Sequence, residues 1–450
     1  MDESWLTTSL CPMCLKRIDA QLVHEDHAWY LHKECPEHGL TRTILWKGSI
    51  PMESWIRTKK KATIKVPNTM VTEQGCPFDC GLCSQHRQHT CTALIEVTKR
   101  CNLSCTYCFA SSHTTRETDP SLEIIKHQYT SILNHSGMCN IQLSGGEPTL
   151  REDLPEIIRL GKELGFEFIQ VNTNGIRLAE DKNYVARLKE AGLSSVFLQF
   201  DGIKDETYQQ LRGRGLASIK MKAIEHCKEY HIGVVLVPTL VPGVNVDQIG
   251  EIIKYGINEA PTVRGVHFQP VSFFGRIPFV PHDAQRITLP EVMDEICRQM
   301  KDIITLDMLL PPGCENALCS FHGNFSLDGN RLLSSSKEKK SECCSTQTAE
   351  EGAIKAKNFV RKRWVVEKKV SLAKTVEVSN HSDWDRILEQ ITKQSFSISG
   401  MAFQDVWNIN LERVKDCCIH VSTQEGNLIP FCLYNVTSAT GDSLYREVLE

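Results

Sequence analysis

Residues 101–108 read Cys101-Asn-Leu-Ser-Cys105-Thr-Tyr-Cys108, directly after a β-rich run at Ala93–Val97. Three thiolates in a C-x3-C-x2-C spacing can hold three irons of a cubane [4Fe–4S] cluster and leave the fourth iron without a protein ligand. An open iron accepts a substrate or a cofactor. A zinc knuckle with a distant fourth ligand would use the same residues. The flanking sequence therefore decides between the two readings.

From that loop to about Met300 the pattern alternates strand and helix. After Ala93–Val97, strand-like runs follow at Asn140–Leu143, Phe166–Asn172, Ser195–Phe200, Ile232–Thr239 and Gly265–Gln269. Helical periodicity fills the gaps at Ser121–Asn134, Asp153–Leu164, Asp181–Ala191, Ala217–Tyr230, Val246–Tyr255 and Pro290–Lys301. Successive β-α units predict a parallel sheet with helices outside. Six units are too few for a closed eight-stranded barrel. The expected class is α/β, a partial (β/α)6 TIM-like barrel flanked by small metal-binding N- and C-terminal domains. Ligands in such folds sit at the carboxyl ends of the strands.

The strand tips carry the next signals. The second run ends in Leu143-Ser-Gly145-Gly146-Glu147-Pro148. Glycines let backbone carbonyls approach a ligand, and a carboxylate suits an ammonium. The third ends in Asn172-Thr-Asn174, the fourth in Gln199-Phe-Asp201, with Arg212-Gly213 beyond; the sixth ends His267-Phe-Gln269-Pro270. With its three-cysteine loop, this series resembles the radical S-adenosylmethionine (SAM) superfamily over about 200 residues. The resemblance implies that Gly145, Gly146, Glu147 and Pro148, with Tyr107 of the cysteine loop, line the methionine end of SAM. It places Asn172 and Asn174 on the ribose or carboxylate side, and Gln199, Asp201 and Arg212 near the carboxylate. Asp201 as a helix cap and Arg212 as a surface charge is the competing reading. No acid–base dyad or nucleophilic triad stands out, so no catalytic side chain is assigned.

The chain has 20 cysteines in 450 residues, and the rest fall into groups. Cys76, Cys80, Cys83 and Cys91 have C-x3-C-x2-C-x7-C spacing, which suits a fully ligated auxiliary [4Fe–4S] cluster; Zn(Cys)4, or a three-cysteine site with Cys91 as bystander, is the alternative. Cys11 and Cys14, then Cys35 and His38, have the spacing of a tetrahedral single-metal site, zinc or iron, with His32 the rival fourth ligand. Cys314, Cys319, Cys418 and Cys432 are expected to hold a second auxiliary cluster, Cys418 being preferred over Cys417. Cys343 and Cys344 lie in the polar run Ser334–Thr346, read as a mobile linker. Cys139, Cys227 and Cys297 read as small buried hydrophobes. A helix is expected at Trp384–Lys393 and short strands near Cys418 and Cys432.

The expected domains are 1–65, a single-metal knuckle; 66–92, an auxiliary-cluster segment; 93–305, the partial barrel; and 306–450, a C-terminal domain with a loop near 330–350. Fifty-one basic and 55 acidic residues give a net charge of −4, without the basic excess of a nucleic-acid protein. The start, Met1–Ser9, does not resemble a signal peptide. The longest apolar stretch, Gly233–Val244, is short for a membrane span and broken by two prolines. A cytoplasmic location with reduced thiols is expected, with peripheral membrane contact left open.

The strings CPMC, CPEHG, GCPFDCGLC, EVTKRCNLSCTYCFA, LSGGEPTLREDLP and IPFCLYN together narrow the resemblance. The chain is similar, over about residues 10–435, to archaeal tetraether-lipid synthases and to related proteins labelled dihydro-hydroxymethylpterin methyltransferases, and looks like a bacterial branch. That family implies two further [4Fe–4S] clusters and a rubredoxin-like single iron; the N-terminal set here departs from it in having only three cysteines. The implied function is a radical SAM enzyme. It would cleave SAM reductively to a 5′-deoxyadenosyl radical, abstract hydrogen from an unactivated C–H, and couple or methylate carbon on a lipid or small molecule. A ferredoxin- or flavodoxin-type reductant is the implied partner. A non-catalytic iron–sulfur electron carrier, or a zinc-stabilised binding protein, would explain the cysteines but not the strand tips.

Overall fold

The computed structural model describes residues 4–57, 61–64, 73–112, 118–329, 331–334, 348–366 and 395–446. The expected helix at Trp384–Lys393, Cys343, Cys344 and most of the polar linker lie outside these residues.

The N-terminal segment is a four-stranded antiparallel sheet in sequential order: β1 (Ser4–Leu10), β2 (Arg17–Glu25), β3 (Ala28–Cys35) and β4 (Gly39–Lys47). Cys11 and Cys14 sit in the β1–β2 turn, Cys35 ends β3 and His38 lies in the turn that follows it. Two tight turns at one end of a sheet thus bring the four donors together.

The core strands are β5 (Thr92–Thr98), β6 (Asn140–Gly145), β7 (Ile169–Thr173), β8 (Ser195–Gln199), β9 (Gly233–Val237) and β11 (Val263–Pro270), with the short β10 (Thr239–Leu240) beside β11. They pair in parallel in the order β5-β6-β7-β8-β9-β11. Their helices begin where the sequence signals them. Ser121 Oγ accepts Ile124 N–H, Asp181 accepts Tyr184 N–H, and Thr288 with Glu291 forms a capping box. The outward residues Ile141, Leu143, Ile169, Val171, Val196 and Leu198 are fully buried beneath the helices. Each such side chain contributes roughly 1.5–3 kcal/mol of transfer free energy.

The C-terminal region adds strands to both edges of this sheet. β14 (Ser395–Met401) pairs in parallel with β11, and β12 (Ser320–Asp328) and β13 (Arg331–Ser334) follow antiparallel. At the other edge β15 (Ile419–Ser422) pairs in parallel with β5, and β16 (Leu428–Pro430) closes the row. The six expected parallel strands therefore become eight. Gly265 allows the close approach of β14: a Cβ there would lie 2.3 Å from the Ser397 carbonyl oxygen. None of the described helices is long and apolar enough to cross a membrane.

The inner face of the barrel departs from the usual filling of branched aliphatic side chains. Strand alternation turns Asn140, Gln142 and Ser144 of β6 inward, with Gln170 and Asn172 of β7, Gln199 of β8 and His267 and Gln269 of β11. They enclose a cavity of about 600 Å³. The helix Ala349–Arg363 supplies Gly352, Ala356 and Phe359 to its wall.

Candidate active site

The cysteine loop leaves the carboxyl end of β5, and Cys101, Cys105 and Cys108 all line the cavity. The loop is held from outside. Arg276 Nε donates to the Cys105 carbonyl at 2.8 Å, Thr106 N–H donates to Leu211 O at 3.0 Å, and Cys108 and Arg276 exchange backbone hydrogen bonds. Burial pushes the Cys101 thiol up to about 12 and raises Cys108 as well. Three thiols on one loop, all on the cavity wall, fit an iron–sulfur cluster there.

The Gly145–Gly146 tip is pressed against that loop. Gly146 N–H donates to Thr98 O and Glu147 N–H to Arg100 O, each at 2.8 Å. Gly145 has φ +125°, and a Cβ on either glycine would stand 2.1 Å from a backbone oxygen of the facing segment. Only glycine fits both positions. Glu147 lines the cavity but is 1 % exposed. Its Oε1 accepts Thr149 N–H (3.0 Å), Thr149 Oγ1–H (2.6 Å) and Thr173 Oγ1–H (2.6 Å), and its Oε2 accepts Asn174 N–H (2.7 Å). With four donors in place, the carboxylate couples the β6 tip to the β7 tip, and the neighbouring backbone is what the tip presents to a ligand. Pro148 opens a short 3₁₀ turn and is absent from the cavity wall.

The remaining tips are also interlocked. Asn174 Nδ2 donates to Asn102 Oδ1 at 2.7 Å. Asn172 Nδ2 reaches Ser144 Oγ at 3.4 Å, while its Oδ1 has no protein partner. Arg212 and Asp201 form a buried bidentate pair at 2.7 Å on both arms, and Asp201 also accepts Thr239 N–H at 3.1 Å. Arg212 lines the cavity and Asp201 does not, so the carboxylate positions the guanidinium. Tyr107 reaches the wall with its ring edge-to-face on Phe273. Two residues had no sequence signal of their own, Asn102 and Lys220. Lys220 Nζ donates to Asn174 O and, at 3.3 Å, to Gln199 Oε1, and burial lowers its ammonium to about 8.

The other thiols are partly regrouped. Cys11, Cys14, Cys35 and His38 have donor atoms within 4.8 Å of one another. His38 Nδ1 lies 3.6 Å from Cys11 Sγ and 3.4 Å from Cys35 Sγ, whereas His32 pairs with Glu25. Cys91 leaves the set expected for it: its sulfur lies with those of Cys314 and Cys418, all within 4.8 Å. The cause is the pairing of β5 with β15, which places the residues preceding both strands side by side, Cys91 N–H donating to Cys418 O at 2.8 Å. The expected set of Cys314, Cys319, Cys418 and Cys432 also divides. Cys319 and Cys432 lie with Cys417 around a separate small pocket, whose wall Cys418 also touches. Cys76, Cys80 and Cys83 stay on one loop, pinned by Tyr445, whose hydroxyl accepts Cys80 N–H at 2.9 Å. Cys139 and Cys227 are buried, and Cys297 is half-buried.

Residues 95–256 match the radical SAM superfamily model, and residues 5–47 match a zinc ribbon domain described as the N-terminal domain of HMPTM. The chain is 36% identical to 7,8-dihydro-6-hydroxymethylpterin dimethyltransferase of Methanocaldococcus jannaschii, over 99% of this chain and 94% of that one. The protein belongs to that family of radical SAM enzymes. A probable GTP 3′,8-cyclase of Archaeoglobus fulgidus is also 36% identical, over 36% of this chain and 53% of that relative. Streptococcus suis SuiB bound to S-adenosylmethionine is 15% identical with a TM-score of 0.36 over 41% of each chain, too slight a likeness to bear on the site. Membership brings a [4Fe–4S] cluster and SAM as cofactors, and the Cys101 loop and glycine tip fit both.

Proposed function

We propose that this radical SAM enzyme methylates, or otherwise forms a bond to, an unactivated carbon of a polar heterocycle related to a reduced pterin. The observation that carries this reading is the inner face of the barrel. Asn140, Gln142, Gln170, Asn172, Gln199, Gln269 and His267 supply hydrogen-bond donors and acceptors along the cavity. Burial lowers His267 to about 4, so at neutral pH it is an uncharged partner, with Nδ1 2.9 Å from Ser399 Oγ. A hydrocarbon chain in this space would leave the carboxamide oxygens of Asn140 and Asn172 buried and unpaired, at about 1–3 kcal/mol each. Asn140 Oδ1 and Asn172 Oδ1 already lack protein partners. A flat heterocycle with a donor–acceptor edge would satisfy them.

When bound, the cluster and SAM supply a 5′-deoxyadenosyl radical able to abstract hydrogen. The chain's own part is orientation. Gly145 and Gly146 bring backbone to the methionine end, Arg212 offers its guanidinium to a carboxylate, and the carboxamides hold the substrate. The electron comes from an external one-electron reductant. The four N-terminal donors suit tetrahedral zinc.

The test is anaerobic assay of 5′-deoxyadenosine with dithionite, SAM and 7,8-dihydro-6-hydroxymethylpterin. Cleavage by the reconstituted protein in the presence of the pterin, abolished in Cys105→Ala, supports the reading. A fully loaded protein that leaves both SAM and the pterin intact refutes it.

A further inference from the structure

The row of core strands does not close on itself. It runs from β16 and β15 at one end, through β5-β6-β7-β8-β9-β11, to β14 with β12 and β13 beyond, and among the described residues no strand pairing joins the two ends. Phenylalanines fill the gap. Phe431, in the IPFCLYN string, begins the short helix Phe431–Asn435 after β16, and Phe403 follows β14. Their ring centroids lie 4.5 Å apart at a 40° tilt. Phe109, next in sequence to Cys108, packs against Phe431 at 5.6 Å and 60°, and Phe274, beyond β11, at 6.4 Å and 83°. Both of these are edge-on contacts, an arrangement that the ring quadrupoles favour.

All four rings line the cavity. Phe431 and Phe274 are buried, whereas Phe109 and Phe403 are half-buried, so these two offer their surface to the cavity. Phe431 stands behind them, braced by its contacts with the other three rings. The backbone beside Phe403 is tied as well: Ser272 Oγ donates to Phe403 O at 3.0 Å, and Gln404 N–H to Cys432 Sγ at 3.3 Å. The gap lies across the barrel from β7 and β8, the middle pair of the eight parallel strands, which carry Gln170, Asn172 and Gln199 on the cavity wall. The cavity therefore has an aromatic flank and a carboxamide flank. A flat conjugated ring matches both, because its rim carries donors and acceptors while its faces stack on other rings. A hydrocarbon chain matches only the aromatic flank, and a saturated sugar only the carboxamide one.

We infer that Phe109 and Phe403, backed by Phe431, are the stacking platform for the conjugated ring of the substrate and select a flat heterocycle over a chain. The inference rests on the heterocycle reading above and adds the residues that do the selecting. Because Phe109 adjoins Cys108, a ring stacked there lies beside the loop of the radical-generating cofactors. Rings braced against one another before binding lose little freedom on binding, so the contact appears as affinity.

The test titrates the cluster-loaded full chain with 7,8-dihydro-6-hydroxymethylpterin, with SAM present and no reductant. It reads the heat of binding and, in difference spectra, the hypochromism of the near-ultraviolet pterin band. Phe403→Leu is expected to raise Kd roughly tenfold and to remove most of the hypochromism, whereas Phe403→Tyr, which keeps a ring, retains both. Should Phe403→Leu not fold, Phe109→Leu reads the same two signals. Wild-type affinity and hypochromism in the leucine variant overturn the platform and leave the heterocycle reading standing. Weaker binding with unchanged hypochromism gives the ring a packing role only, and overturns it too. A wild-type protein that ignores the pterin but binds guanosine with hypochromism dependent on Phe403 upholds the platform and rejects the pterin. Binding of neither ring by wild type overturns both.

Discussion

Gln142 donates its Nε2–H to Gln170 Oε1 at 2.8 Å, across neighbouring strands and inside the barrel. Gln170 in turn donates to Ser195 Oγ at 3.2 Å, and Ser195 Oγ donates to Gly233 O at 3.1 Å. The chain of bonds runs over four strands. It fixes the orientation of the carboxamides and leaves the remaining donor and acceptor sites of Gln142 for a ligand.

Gln142→Leu therefore removes both a ligand contact and the partner of Gln170. At about 1–3 kcal/mol, the expected fall in kcat/KM for a reduced pterin is roughly 5- to 150-fold. SAM cleavage without product should persist, because the Cys101 loop is untouched. The check is the ratio of 5′-deoxyadenosine to product.

Glu147→Gln replaces an acceptor that serves four donors with a group half of which is itself a donor. At least one buried N–H or O–H then faces an amide N–H. Unfolding free energy should fall by about 1–3 kcal/mol, and SAM affinity should drop with it as the β6 and β7 tips separate. Calorimetric titration with SAM and a denaturant midpoint measure the two effects.

Asp201→Asn leaves the Arg212 charge buried without its counter-ion. Breaking a buried pair by removing one partner costs about 3–5 kcal/mol, so the transition midpoint should fall clearly. The double variant Asp201→Asn/Arg212→Met should recover much of that stability but not SAM binding. Recovery of both would remove Arg212 from the cofactor site.

Lys220 gives a pH signature. Burial lowers its ammonium from 10.5 to about 8 in the folded chain. Between those values the unfolded chain binds more protons than the folded one, so this group's contribution to stability rises with pH. The stability of wild type relative to Lys220→Met should be least favourable below about pH 8 and increase toward pH 10. Urea midpoints of both cluster-free proteins at several pH values provide the comparison.

His38→Ala removes one of four donors at the N-terminal site. Metal released to a chromogenic chelator should appear much faster than from wild type, and the β1–β4 sheet should lose amide protection, with SAM cleavage affected least.

The sequence pattern located the barrel strands and helices closely, because local periodicity and caps determine them. The regrouping of Cys91 with Cys314 and Cys418 was illegible for the opposite reason. It depends on β15 pairing with β5 across more than 300 residues of chain, and residue spacing carries no trace of that. In the N-terminal region the spacing marks Cys11, Cys14, Cys35 and His38, which the structure draws together, but not the four-stranded sheet that carries them. The polar barrel interior is written in the sequence as well: Asn140, Gln142 and Ser144, then Gln170 and Asn172, recur at every second residue, between the apolar residues that mark the strands. The Glu147 partners, Thr149, Thr173 and Asn174, needed the three-dimensional placement of two strand tips.

The most direct test of the central claim is mass spectrometry of the product formed anaerobically from SAM, reductant and 7,8-dihydro-6-hydroxymethylpterin. The account predicts a pterin heavier by one or more methyl groups, formed together with substrate-dependent 5′-deoxyadenosine and absent in Cys105→Ala. An unaltered pterin, with long-chain lipids modified by the same preparation, would contradict it.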